Sequence, residues 1–381
     1  MSGRLRVPLV AAALAGLVFW LPGDGFDLRI FLAAGHAVAH GHSPYPATAA
    51  QLHSNAVFVY PRLAAWLFAP LSALPAHAAE DVYTVLCAAC IALGAWLLGV
   101  RSWVALAAVA LGAFAIRSVT LGTVEPLLFL ALAVVWRFRD RPLVAGVALG
   151  LGVLVKPILL PLGLFLLATR RFGALAAAVV SVLVAGAASG ESPSTVAEYA
   201  SLVRRLGDIE GPKSWSTAGW LAQSGLDWRV ASTAVIALAL VLASGVLVAG
   251  LRGRLDERQV FAAALALALL ASPIVWTHYD LLLVGALVVA GAPTAALVAA
   301  FAASWFITPD RIWVVSPSHY VSWPPNADGV FLGQLLLVGV FAAALLPALP
   351  LARPGVTPWG RRARWRAPRT RAAVGDPKRR A

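Results

Sequence analysis

Charge along this chain is sorted by position. Apolar stretches follow one another from about residue 7 to residue 350, and the connections between them alternate between basic and acidic. Taking the first connection point as inside, one set holds Arg101, R-F-R-D-R at 137–141, Arg170 and Arg171, R-G-R-L-D-E-R at 252–258, and the Arg-rich tail. The other set receives most of the carboxylates, Asp24, Asp27, Glu125, Glu191 and Asp280 among them, and all 7 histidines. A bilayer imposes that alternation, because Lys and Arg are retained on the cytoplasmic side. Only 12% of the residues are charged and 60% are hydrophobic, against about 25% and 45–50% in soluble domains. The reading is an all-α, polytopic integral membrane protein with about twelve transmembrane helices and both termini cytoplasmic.

The stretches lie near 82–100, 103–117, 125–136, 142–155, 157–168, 172–189, 230–250, 260–276, 280–291, 294–307 and 330–350, after a first apolar run that ends in W-L-P-G-D. No small-residue cleavage site follows that run, so it is expected to stay as an anchor helix. Residues 1–351 then form the membrane domain. Residues 352–381, rich in Arg, Pro and Ala, form a basic tail expected to be disordered and to meet anionic lipid. The net charge of +13 resides largely in that tail and the basic connections, and with no nucleic-acid motif it speaks for lipid rather than RNA or DNA. Cys87 and Cys90, three apart in one apolar run, read as small hydrophobes.

The acidic side also carries the long connections, about 23–81, 190–229 and 308–329, and long loops in compact proteins are usually functional. D-L-R-I-F-L-A-A-G-H-A-V-A-H-G, from Asp27, places Arg29, His36 and His40 on one helical stripe opposite Leu28, Phe31 and Val38. That predicts an amphipathic helix at the interface. W-L-F-A-P-L-S-A-L-P at 66–75 is too short to span and is expected to re-enter or to pack beside it. Transporters tend to place ionisable groups at mid-membrane in two halves that echo each other. Here the stretches are nearly free of charge and show no repeat. A lipid-linked sugar flippase or small-solute transporter is therefore the alternative, and an enzyme working at the outer surface the preferred reading.

Several pieces, in order, carry a resemblance: D-L-R-I-F (27–31), G-H-S-P-Y-P (41–46), F-V-Y-P-R-L-A-A-W-L-F-A-P-L-S-A-L-P (58–75), V-K-P (155–157) and S-P-I-V-W-T-H-Y (272–279). Over about residues 15–350 the chain resembles glycosyltransferase family 87, actinobacterial α-mannosyltransferases of GT-C architecture that depend on polyprenyl-phosphate mannose. The resemblance implies outer loops that cover a cavity above the helices, a lipid-linked sugar as donor, and an envelope glycolipid or polysaccharide as acceptor. It also implies an aspartate base in the first outer loop, at the position of Asp27. No cofactor is implied. The chain departs from the family pattern at Phe31, Arg62, Thr123, Glu125 and Tyr279.

Each candidate has a plainer reading beside the functional one. Asp27 precedes a helix and is suited to cap it; the resemblance makes it the base, with Asp24 as substitute. His278 is either an interfacial histidine beside Trp276 or a group that meets the donor phosphate or a sugar hydroxyl. Lys156, before a proline in an apolar run, either snorkels or pairs with a phosphate diester, and Arg62 and Arg117 are weaker candidates for the same task. Tyr60, inside the resembling pieces, and Glu125, in G-T-V-E-P, are expected to contact substrate. His36, His40 and His42 have a spacing that suits a metal, but no third ligand type accompanies them, and a polar helix face is preferred. The tryptophans of the outer loops read as an aromatic belt.

Overall fold

Prolines, glycines and charges divide the apolar sequence into short rods. The computed structural model describes residues 5–21, 23, 25–307, 333–340 and 342, so Asp24 and the whole basic tail lie outside the described residues. The chain opens with α1 (Arg6–Trp20), α2 (Phe26–Ala39), α3 (Ala49–His53), α4 (Arg62–Ser72) and α5 (Ala76–Leu97). Then come α6 (Trp103–Ala110), α7 (Ala113–Leu121), α8 (Glu125–Arg137), α9 (Pro142–Val155) and, after a 3-10 turn at Pro157–Leu159, α10 (Leu162–Ala168). The rest comprises α11 (Phe172–Ala188), α12 (Pro193–Glu210), α13 (Thr217–Gln223), α14 (Trp228–Leu251), α15 (Glu257–Ala271), α16 (Leu281–Ala290) and α17 (Thr294–Ile307), with 3-10 turns at Gly211–Lys213 and Thr277–Asp280. The described residues contain no strand.

Two of these helices are long and apolar enough to cross a membrane by themselves, α5 with 22 residues and α14 with 24. Two bent pairs bring the number to four if each counts as one span: α6 with α7, bent by 46°, and α11 with α12, bent by 100°. The count of about twelve is therefore larger than helix length supports. The reason is visible at Pro157, which has no N–H to donate and pushes Lys156 into an extended conformation (φ −155°, ψ 120°). One apolar run becomes two half-length rods. At α12 the polar sequence turns the chain away from the direction of α11.

Packing separates a core from an apolar exterior. Every residue from Val260 to Leu270 on α15 is buried, as is Leu281 to Ala286 on α16, the pattern of a helix enclosed by others. By contrast Leu240 and Val241 of α14, Leu183 and Val184 of α11 and Leu143 of α9 are each more than 60% exposed. A surface this apolar is suited to lipid.

The basic connections meet at one end of the molecule. Arg171 donates to the Arg139 carbonyl at 3.0 Å, to Asp140 at 3.0 Å and to Glu257 at 2.7 Å, while Arg139 donates to Glu257 at 2.8 Å. Burial by itself would raise the Glu257 carboxyl, but hydrogen bonds from Arg139 and Arg171 outweigh it and hold it below the usual range. Arg170 reaches the Leu251 carbonyl at 3.3 Å. Arg6 donates to the Arg101 carbonyl, and Arg101 lies within charge range of Arg137.

At the other end the connections at 23–81 and 190–229 fold over the helix tips. The Gly25 N–H donates to the Thr120 carbonyl at 3.1 Å, Tyr83 Oη to the Thr123 carbonyl at 2.8 Å, and Trp66 Nε1 to the Ser189 carbonyl at 3.0 Å. The predicted amphipathic helix is α2, and the predicted short apolar piece is α4, packed directly beside it. Phe31 and Phe68 stack with ring centroids 4.5 Å apart. Gly35 lets the two backbones approach: a Cβ there would lie 2.7 Å from the Phe68 carbonyl carbon. Gly35→Ala is expected to cost about 1–3 kcal/mol by overpacking, read as a lower unfolding temperature in detergent. An unchanged temperature would mean that α2 and α4 do not pack this closely.

Candidate active site

Three chain breaks converge where the helix tips meet the covering loops. The first is the Lys156–Pro157 break. The second is the start of α8, where Glu125 precedes Pro126, and the third is the 3-10 turn Thr277–Asp280. Glu125 is fully buried, Lys156 is 8% exposed and His278 is 5% exposed. Lys156 Nζ donates to Glu125 Oε1 in a buried ion pair. The second oxygen, Oε2, has no hydrogen bond but lies 3.7 Å from His278 Nε2. Lys156 Nζ also sits 3.4 Å from the centre of the Tyr279 ring and 5.4 Å from that of Tyr60, a cation–π arrangement. Arg117, half-buried, lies within charge range of His278.

Lys156, which the sequence offers as a partner for a phosphate diester, also has a counter-ion within the protein, Glu125. A buried ammonium is too costly to leave unpaired, and Glu125, 31 residues upstream, comes within reach only because the tips of α8 and α9 meet. Tyr279 was not among the candidates. Its sequence signals are its place at the end of S-P-I-V-W-T-H-Y, where it departs from the family pattern, and its aromatic ring directly after His278.

Asp27, on the covering helix α2, lies within charge range of this group. It stands in the first turn of α2, half-buried, and its charge acts on both Tyr60 and Tyr279, the two rings that cover Lys156. The next turn of α2 presents Phe31, whose ring centre is 4.7 Å from that of Tyr60. The capping reading of Asp27 does not hold. The cap position belongs to Gly25, which has φ 54° and no side chain to accept a bond.

Arg62 begins α4 somewhat apart from this group. Its backbone N–H donates to Glu191 Oε1 at 2.5 Å, and its Nε is buried without a hydrogen-bond partner. The Tyr45 hydroxyl nearby is also buried and without a partner, its ring 6.0 Å from that of Tyr199. Burial, aided by the charge of Glu191, pushes the Tyr45 phenol up, so it stays a donor. The structure therefore joins Lys156, Glu125, His278 and Tyr60, with Asp27 within charge range of the two tyrosines, and ties Arg62 to Glu191 instead. His36 and His40 are exposed, with rings 4.1 Å apart and His40 Nδ1 at 2.8 Å from the His36 carbonyl, on the polar face of α2. Trp215, read as a belt residue, is instead 7% exposed and packed inside the protein.

A cation, an imidazole, two phenols and a carboxylate at the edge are a set that can hold an anion and take a proton beside it. The family model for glycosyltransferase family 87 matches residues 58–273. Tyr60, Arg62, Glu125 and Lys156 fall inside the match, whereas Asp27 precedes it and His278 follows it. No curated protein and no solved structure matches the chain.

Proposed function

Because the chain belongs to glycosyltransferase family 87, whose model covers more than half of it, and is thus a membrane glycosyltransferase, we propose that it transfers mannose from polyprenyl phosphate. The acceptor in this reading is a cell-envelope glycolipid or polysaccharide. In this reading the spans number about twelve in the GT-C manner, which requires helices shorter than a full span to cross as well. The arginine-rich end faces the cytoplasm by the positive-inside rule, so the Lys156 end faces outward across the plasma membrane.

The observation that carries the reading is a carboxylate, Asp27, on a separate covering helix within charge range of the tyrosines at the buried Lys156 site. In the transfer, the acceptor hydroxyl oxygen attacks the anomeric carbon while Asp27 takes its proton. The bond from that carbon to the phosphate oxygen breaks, and the configuration inverts. Polyprenyl phosphate leaves with one more negative charge, which Lys156 meets together with the Tyr60 and Tyr279 hydroxyls. Glu125 shares the lysine and faces His278, and so holds both in place. His278 Nε2 is suited to a phosphate oxygen or a sugar hydroxyl. The donor carries its own leaving group, so no nucleotide site is needed.

The test is transfer of labelled mannose from a short-chain polyprenyl phosphate to an envelope glycolipid extract by detergent-purified protein. Product in the absence of a sealed membrane is the expected result. Labelled donor crossing vesicle walls without any product would instead mean a flippase.

A further inference from the structure

Two groups of arginines stand at the basic end, and they differ in how their charge is met. Arg139 and Arg171 have carboxylates: Glu257 serves both, and Asp140 serves Arg171. Arg6, Arg101 and Arg137 have none. Among the described residues no ion pair reaches any of the three.

These three come together because α5 packs against both α1 and α8. α5 ends in a turn through Gly99, whose φ of 100° suits a residue without a side chain, and Arg101 follows it. The Arg101 guanidinium folds back to donate to the Trp96 and Val100 carbonyls. Its own carbonyl accepts from Arg6 Nη1 at the start of α1. Arg137 lies in the last turn of α8, where a cation suits the helix dipole. Aromatic rings line the group. Arg6 stands 5.5 Å from the centre of the Trp103 ring, Arg101 4.8 Å from that of Trp96 and Arg137 5.6 Å from that of Phe138.

Like charges gathered without a counter-ion repel. Partial burial, together with the charges of Arg137 and Arg6, pushes the Arg101 guanidinium below its ordinary value. Arg6 Nε is buried without a hydrogen-bond partner. The surface beside the group is apolar: Leu5 and Leu9 next to Arg6 are 51% and 47% exposed, and Val104, next to Trp103, is 58% exposed.

We propose that Arg6, Arg101 and Arg137 form a binding site for an anionic phospholipid, whose headgroup phosphate meets the guanidinium groups while its chains lie on the exposed apolar surface of α1 and α6. Two features select this partner. Guanidinium groups suit phosphate oxygens, and the diester brings the negative charge that the protein does not supply here. Exposed apolar residues and tryptophans directly beside the arginines suit the boundary between headgroups and chains. A free phosphate would gain the charge but not the apolar contact. A zwitterionic lipid would turn a cation of its own toward the arginines. The site lies at the end opposite Lys156, so it adds a lipid contact that is independent of the transfer reaction.

The experiment titrates the full-length protein, in a nonionic detergent, with fluorescent phosphatidylglycerol and separately with fluorescent phosphatidylcholine. An arginine near an anionic lipid surface contributes roughly fivefold to the attraction. Wild type is therefore expected to prefer phosphatidylglycerol by about tenfold or more, and the double variant Arg101→Gln with Arg137→Gln to lose about tenfold or more of that affinity. The control is Arg252→Gln with Arg254→Gln, which removes the same charge from exposed positions elsewhere in the basic connections and should keep the preference. Equal weakening in both double variants would mean general attraction to a basic surface and overturn the site. Displacement of the lipid by inorganic phosphate would overturn it in favour of a free-anion site. Because Arg101 also holds the end of α5, Arg137→Gln by itself is the second variant, with about fivefold weaker binding expected at an unchanged unfolding temperature. Unaltered affinity in that variant would likewise sink the proposal.

Discussion

Asp27→Asn is expected to lower mannosyl transfer by about 10²- to 10⁴-fold while leaving the protein folded, the usual yield of a general base. The substitution keeps the shape of the side chain and removes its charge, and with it the ability to take the acceptor proton. It does not remove a helix cap, because Gly25 holds that position. What α2 loses is one negative charge in its first turn, worth about 0.3–1 kcal/mol against the helix dipole. Transfer rate and unfolding temperature, measured on the same preparation, should therefore part company: the first collapses and the second barely moves. Asp24→Asn is the companion variant. Should it be inactive while Asp27→Asn works, the base is Asp24. If both variants retain activity, neither is the base, and Glu125 or Asp280 must be tried next.

The second large effect concerns the buried pair. Lys156→Met leaves Glu125 in the interior without its counter-ion, and removal of one partner from such a pair costs about 3–5 kcal/mol. Lower yield and a lower unfolding temperature are expected, together with weaker donor binding. Stability by itself would not reveal what the lysine is for. The double variant Lys156→Met with Glu125→Leu removes both charges, and replacing a buried pair by apolar side chains is often neutral or stabilising. It should recover the unfolding temperature but not the affinity for polyprenyl-phosphate mannose. Recovery of both would make the pair purely structural and take phosphate recognition away from Lys156.

Much of the architecture was legible along the chain because it depends on neighbours in sequence. Pro157 breaks a helix wherever it stands, so the rods at 142–155 and 157–168 could be drawn from the residues. The amphipathic stripe of α2 and the short apolar α4 were equally readable. The sorted arginines required a common end for the basic connections, and Arg139, Arg171 and Glu257 do meet there. Membership of a glycosyltransferase family was signalled by short motifs whose order survives even where single residues differ.

The site itself was legible only as a set of suspects. Asp27, Glu125, Lys156 and His278 could be named, yet their relations could not. Glu125 and Lys156 stand 31 residues apart with nothing local to announce a pair, and nothing beside Tyr279 says that its ring meets the lysine. Sequence patterns report how each segment satisfies its own backbone and which face it must bury. They do not report which helix tip lies against which. That is decided when α8, α9 and the turn at Thr277–Asp280 pack together, because only then does burial force each charge to find a partner.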